Sequence, residues 1–262
     1  MILVDTHVHV HPCFDLPEFL DAASGNLHVS DPASDTTCRV LCLTEASGRH
    51  VFKDWAKRPG QAIAGPWRVA DVANDVMIRL THDHSGELWI VAGRQIVSSE
   101  RLEILCLGHD SSLPDGTVSL SDLAARIREA GGLPVIPWGF GKWIGRRGRI
   151  VNAFLEKEAA GDAFCLGDNG NRPRAWPEPA AFARARARDI AVLPGSDPLP
   201  LRCAGRDAGR YGLQLDGSLS HENLWPQLRA RLARPDTSCI PHGRRETWPR
   251  FLVNQTLLRL PH

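Results

Sequence analysis

The sequence predicts a single α/β domain of barrel-like build, on three observations. Short apolar runs of strand length alternate with helical stretches along the chain. At 262 residues the chain has the length at which α/β barrels fold as one unit, and it contains no repeat, low-complexity tract or linker, so residues 1–262 are read as one domain. Polar residues gather after the apolar runs, where the loops of parallel sheets and barrels converge on one face.

In chain order, buried strands are expected at residues 2–4, 40–43, 88–97, 102–107, 133–136, 164–166 and 190–193. Leu120, Leu123 and Ile127 recur at helical spacing and stop at Gly131-Gly132, which leads into the strand at Leu133. Residues 180–188 and 222–232 are further helices, and the strand after the first of these ends in Pro194-Gly195-Ser196-Asp197.

A formal net charge of +1 supplies no field for gathering nucleic acid or an anionic membrane, and the basic residues form no long stripe interleaved with aromatics. Seven cysteines (13, 38, 42, 106, 165, 203 and 239) without a CxxC pair read as reduced, mostly structural thiols. The opening Met1-Ile2-Leu3-Val4 is too short for a signal peptide and no run of 18 apolar residues occurs, so a cytoplasmic location is expected.

The strongest chemical signal is Asp5-Thr6-His7-Val8-His9-Val10-His11. Side chains two apart on a strand share a face, which would place Asp5, His7, His9 and His11 together. Aligned neutral imidazoles can chelate a metal; the alternative is a set of histidines hydrogen-bonded at a strand end. Thr81-His82-Asp83-His84 has the same spacing, but Ser85-Gly86-Glu87 follows and a solvated hairpin turn is expected there.

Read in order, these landmarks resemble the PHP family, the metal-dependent phosphoesterases named for polymerase-associated and histidinol phosphatase members. The resemblance runs to about residue 200 and implies a distorted TIM-like (β/α)7 barrel. The family's opening HxH is similar to His7-Val8-His9, its Thr-Asp-His to Thr44-Glu45-Ala46, its Gly-x-Glu to Gly93-Arg94-Gln95, and its Gly-Ser-Asp-x-His to Gly195-Ser196-Asp197-Pro198-Leu199. The family's next histidine falls near Glu103 and its His-Pro near Pro137-Trp138, with no imidazole at either. By this resemblance His7, His9, Gln95 and Asp197 correspond to one position of a three-metal cluster, and the ligands of the other two are mostly gone. One divalent transition metal, Zn, Mn or Fe, is implied.

Glu45, Glu103 and Asp168 are candidates for general base. The loops are cationic, and Arg94, Lys142, Arg146, Arg172 and Arg202 are candidates for binding a small anionic substrate. No Walker or dinucleotide fingerprint is present, so no nucleotide cofactor is expected. Three functions remain open: a mononuclear metal-dependent hydrolase, with a phosphoester as substrate; a catalytically silent barrel of this kind that binds an anion or a protein partner; or hydrolysis of an amide or lactone on the related metal-dependent amidohydrolase plan, which also opens with HxH on its first strand. Oligomeric state and the role of residues 203–262 are not readable from sequence.

Overall fold

The computed structural model describes residues 1–28, 37–110, 114–158, 163–234 and 240–260. The chain begins with β1 (Ile2–Val8), α1 (Leu16–Asn26), β2 (Cys38–Leu43) and α2 (Val51–Ala56). An antiparallel meander follows, made of β3 (Ala62–Ala64), β4 (Trp67–Asn74), β5 (Met77–His82) and β6 (Gly86–Val91). Next come β7 (Gly93–Val97), β8 (Glu103–Leu107), α3 (Leu120–Glu129), β9 (Leu133–Pro137), α4 (Arg146–Lys157), β10 (Cys165–Asn169), α5 (Ala180–Arg186) and β11 (Val192–Gly195). A 3-10 segment (Arg202–Asp207), β12 (Tyr211–Leu215), α6 (Leu224–Leu232), β13 (Ile240–Gly243) and α7 (Trp248–Leu257) complete it.

The strands form two sheets. The larger has the order β13-β12-β1-β2-β6-β5-β4-β3 and the smaller β11-β10-β9-β8-β7. Strand alternation divides their side chains between inside and outside. Ile2, Val4, Val40, Val91, Leu105, Val135 and Leu193 share a core between the sheets, with Trp225 and Leu228 of α6 packed into it. Leu3, Leu41 and Leu80 face the other way, under Phe19 of α1 and Trp55 of α2. Ile104, Ile136 and Leu166 lie under α3, α4 and α5.

Local signals account for two of the helix starts. The Asp15 carboxylate caps α1 by accepting from Glu18 N, and Ser119 caps α3 by accepting from Asp122 N. The expected turn after Thr81 is formed: His82 closes β5 and its Nδ1 accepts from the backbone N–H groups of His84 and Ser85.

Two expectations need correction. Residues 88–97 are not one strand: the run breaks at Ala92, and β6 and β7 belong to different sheets. Gly93 makes the crossing possible, since a Cβ there would lie 2.7 Å from Cys106 O. Nor do the described residues form a closed (β/α)7 barrel. The sheets touch at two seams without a continuous ladder. At one, Glu45 N donates to Gly93 O (3.0 Å) and Gln95 N to Glu45 O (2.9 Å). At the other, Asp197 N donates to His7 O (2.8 Å) and Thr6 Oγ1 to Pro194 O (2.9 Å). The reason is competition for an edge: β1 pairs antiparallel with β12 through Ile2, Leu3 and Val4, so β11 meets β1 only beyond that stretch.

Candidate metal centre

The C-terminal ends of β1, β2, β10 and β11 and the reversed start of β8 meet at one end of the molecule. Here His7 and His9 turn their Nε2 atoms toward each other at 3.1 Å, and Asp197 Oδ1 lies 3.5 Å from each. Ligand atoms about 2.0 Å from a tetrahedral ion stand about 3.3 Å apart, so this spacing suits three donors around one metal. Both imidazoles are buried, at 4% and 8% exposure, where unpartnered polar groups are costly.

Asp197 is held from several sides. It sits at φ 47, just past β11, a conformation aspartate tolerates better than most residues. Asn169 Nδ2 donates to its Oδ2 at 2.5 Å, and Asn171 Nδ2 to its backbone oxygen at 2.6 Å. A Cβ on Gly195 would lie 2.7 Å from His7 N, so only glycine lets β11 come this close to β1.

The electrostatics suit a cation. Burial, then the neighbouring His7 ring, push His9 down to about 3, which keeps its ring neutral with a lone pair to offer. Burial opposes ionisation of Asp197, yet His7, His9, the Asn169 amide and Lys142 together hold its carboxyl below the ordinary value.

Asp5 and His11 depart from the expected four-residue alignment. The β1–β2 register shifts between Asp5 and Val8. The Asp5 carboxylate accepts instead from Ser196 N (2.9 Å), Ser196 Oγ, Gly209 N (2.8 Å) and His7 N (3.2 Å). Burial pushes its carboxyl up to about 6 against those four donors. His11 pairs its Nε2 with Pro198 O at 3.0 Å, with its ring centroid 5.4 Å from that of His9.

The remaining candidates divide into two groups. The Gln95 side chain acts on the His9 ring, and Lys142, whose charge reaches Asp197, is ion-paired with Glu103. Glu103 arrives at this end because β8 runs antiparallel to β7, opposing Glu103 to Val97. The other charges are spent elsewhere. Glu45 accepts from Phe52 N at 2.7 Å, at the first turn of α2, and lies 3.4 Å from Arg94. Arg94 is buried among Asp110, the Arg49 carbonyl and His50 Nδ1. Asp168 and Arg172 form a buried two-pronged pair, both bonds 2.7 Å, and Tyr211 donates to the same carboxylate at 2.8 Å. Arg146 and Arg202 are exposed and make no ion pair among the described residues. Cys13 and Cys203 are exposed free thiols; Cys239 lies outside the described residues.

Sequence reading missed Asn169, Asn171 and Ser196 as supports of the site. The asparagines had a signal: they flank Gly170 immediately after a strand, in a loop on the converging face.

No family model matches the chain, and no curated protein matches it. Among solved structures, PsfC from Pseudomonas syringae PB-5123 is similar with a TM-score of 0.59 at 17% identity, over 98% of this chain and 97% of that one. The lesion-specific endonuclease PfuEndoQ from Pyrococcus furiosus gives a TM-score of 0.47 at 12% identity, over 88% of this chain and 55% of that one. The first likeness is one of fold alone, and the second is too loose to bear on function. No helix among the described residues is long and apolar enough to cross a membrane.

Proposed function

We propose that the chain is a metal-dependent hydrolase with a one-ion site, a divergent PHP-type phosphoesterase acting on a small anionic substrate. The observation that carries this reading is the spacing of His7 Nε2, His9 Nε2 and Asp197 Oδ1, all within 4.8 Å of one another. Two imidazoles and one carboxylate are a donor set for Zn, Mn or Fe. Gln95 orients the His9 ring or supplies a fourth, uncharged donor. A divalent ion bound there would polarise a substrate oxygen and lower the pKa of water.

The chain's own residues then supply position and proton transfer. Lys142 offers a cation beside Asp197 to an incoming phosphate oxygen. Proton transfer is assigned to Glu103, because its partner Lys142 also acts on Asp197, whereas Glu45 accepts from Phe52 N and Asp168 is paired with Arg172. Arg94 and Arg172 are assigned to structure rather than to substrate.

The test is metal content by plasma mass spectrometry on protein purified without chelator, paired with hydrolysis of p-nitrophenyl phosphate, for wild type and the His7→Ala/His9→Ala variant. About one transition metal per chain, with turnover, both lost in the variant, is the expected result. Metal bound without turnover would favour the silent anion-binding alternative, which the amide at Gln95 in place of a carboxylate also favours. No metal in either protein after reconstitution would overturn the reading.

A further inference from the structure

We propose that the cleft between β11 and the β12–β13 pair is a second binding site, for a small organic polyanion that carries phosphate or carboxylate groups on an apolar body. The cavity encloses about 930 Å3, within the range of small-ligand sites. It lies where the two sheets fail to join: β1 gives its edge to β12 along Ile2, Leu3 and Val4, and β11 keeps an edge without a ladder partner.

One wall is apolar, formed by Leu193, Pro194, Leu213 and Pro241. The rest is cationic, with six arginines against three carboxylates. Two of the arginines are already neutralised, Arg172 by Asp168 and Arg186 by Glu178, the latter through two bonds of 2.7 Å. Arg174, Arg234, Arg244 and Arg245 have no carboxylate partner among the described residues, and only Asp189 remains to offset them. Arg245 Nη1 is buried and makes no hydrogen bond. A buried guanidinium N–H without an acceptor is unfavourable, so Arg245, which lines the cavity, keeps hydrogen-bonding capacity unused beside it.

The site is preorganised and distinct from the metal centre. Arg174 Nε donates to Arg245 O at 2.8 Å, and Arg245 Nη2 lies 3.4 Å from Arg174 O, so the two side chains are fixed against each other's backbone. Alternation along β10 sends Asn169 to Asp197 and Asp168 to Arg172 and Tyr211, which line the cleft. The proposal does not depend on hydrolytic activity.

The experiment is calorimetric titration and thermal melting of the whole chain with sodium pyrophosphate and, separately, sodium citrate, at ionic strength matched with sodium chloride. Saturable binding of at least one of them is expected, at one per chain with a Kd below about 1 mM. The two arms distinguish a phosphate-bearing ligand from a carboxylate one. Arg234→Glu/Arg244→Glu exchanges two exposed side chains and is expected to weaken binding at least about ten-fold, and Arg245→Ala to do the same. The His7→Ala/His9→Ala variant should bind as wild type does. No saturable binding beyond the chloride control, binding that survives the arginine exchanges, or binding lost with the histidines would overturn the proposal.

Discussion

Asn169 Nδ2 donates to Asp197 Oδ2 at 2.5 Å while Asp197 Oδ1 stands 3.5 Å from each imidazole, so the amide grips the oxygen that the histidines do not face. Asn169 is itself fixed, its Oδ1 accepting from Asn171 N at 2.7 Å. Supports of this kind orient ligands, and losing one typically costs about 10–100-fold in metal affinity. Asn169→Ala is therefore expected to weaken zinc binding by that factor, measured by competition with a chromogenic chelator, with the fold retained by circular dichroism. Unchanged affinity would mean that the backbone bond from Asp197 N to His7 O suffices to place the carboxylate.

The Glu103–Lys142 pair gives a second prediction. If Glu103 handles the proton, Glu103→Gln lowers kcat by about 10²–10⁴-fold with metal content unchanged, because general-base assistance is worth about that much. Lys142→Ala is expected to raise KM for a phosphomonoester more than it lowers kcat, since Lys142 offers charge beside Asp197 rather than a reacting atom. Equal loss in both variants, with no split between KM and kcat, would count against these roles.

How far the site was legible follows from the range of each interaction. The period of a strand brings His7 and His9 together, and a polar loop closing an apolar run marks Asp197; both are local patterns. Sheet closure was not legible, because it depends on which distant strand claims the edge of β1, and β12 lies in a stretch without a motif. The meander was hidden by its exposure: β4 buries Trp67 and Val69 but carries Arg68, Ala70 and Asp71 outward, so it lacks the continuous apolar run of a core strand. The spending of Arg94 and Arg172 on carboxylates needs coordinates, since an arginine in a loop reads the same whether paired or free.

The Asp168–Arg172 pair carries a stability prediction. The residues are 7% and 3% exposed, and removing one member of a buried pair strands the other charge. Arg172→Ala is expected to cost about 3–5 kcal/mol in urea unfolding. Asp168→Ala should cost a similar amount, and the double variant clearly less than the sum of the two. Additive losses would show that the two side chains act independently.

Alkaline stability should respond to Cys42. Burial, with Asp5 nearby, holds this thiol's pKa well above its ordinary 9.0, so the folded state keeps a proton that the unfolded chain releases above that value. More protons bound in the folded state means that stability falls as pH rises. Urea midpoints taken from pH 8 to 10 are expected to decline in wild type and to decline less in Cys42→Ala, whose core is weaker overall but has lost that group's proton linkage. Parallel declines in the two proteins would assign the alkaline slope elsewhere.

Gly195→Ala tests whether the approach of β11 to β1 builds the candidate metal centre. The added methyl would meet His7 N at 2.7 Å and His7 Cα at 3.0 Å, both backbone atoms that cannot rotate away. Relief requires β11 to retreat, which stretches the 2.8 Å bond from Asp197 N to His7 O and draws the carboxylate from the imidazoles. Overpacking of this kind costs about 1–3 kcal/mol, and the ligand spacing should suffer with it. The expected outcome is a lowered melting temperature together with at least about a ten-fold loss of zinc affinity. Stability lost with zinc affinity intact would show that Asp197 follows His7 through the shift, and that the seam serves folding rather than the site.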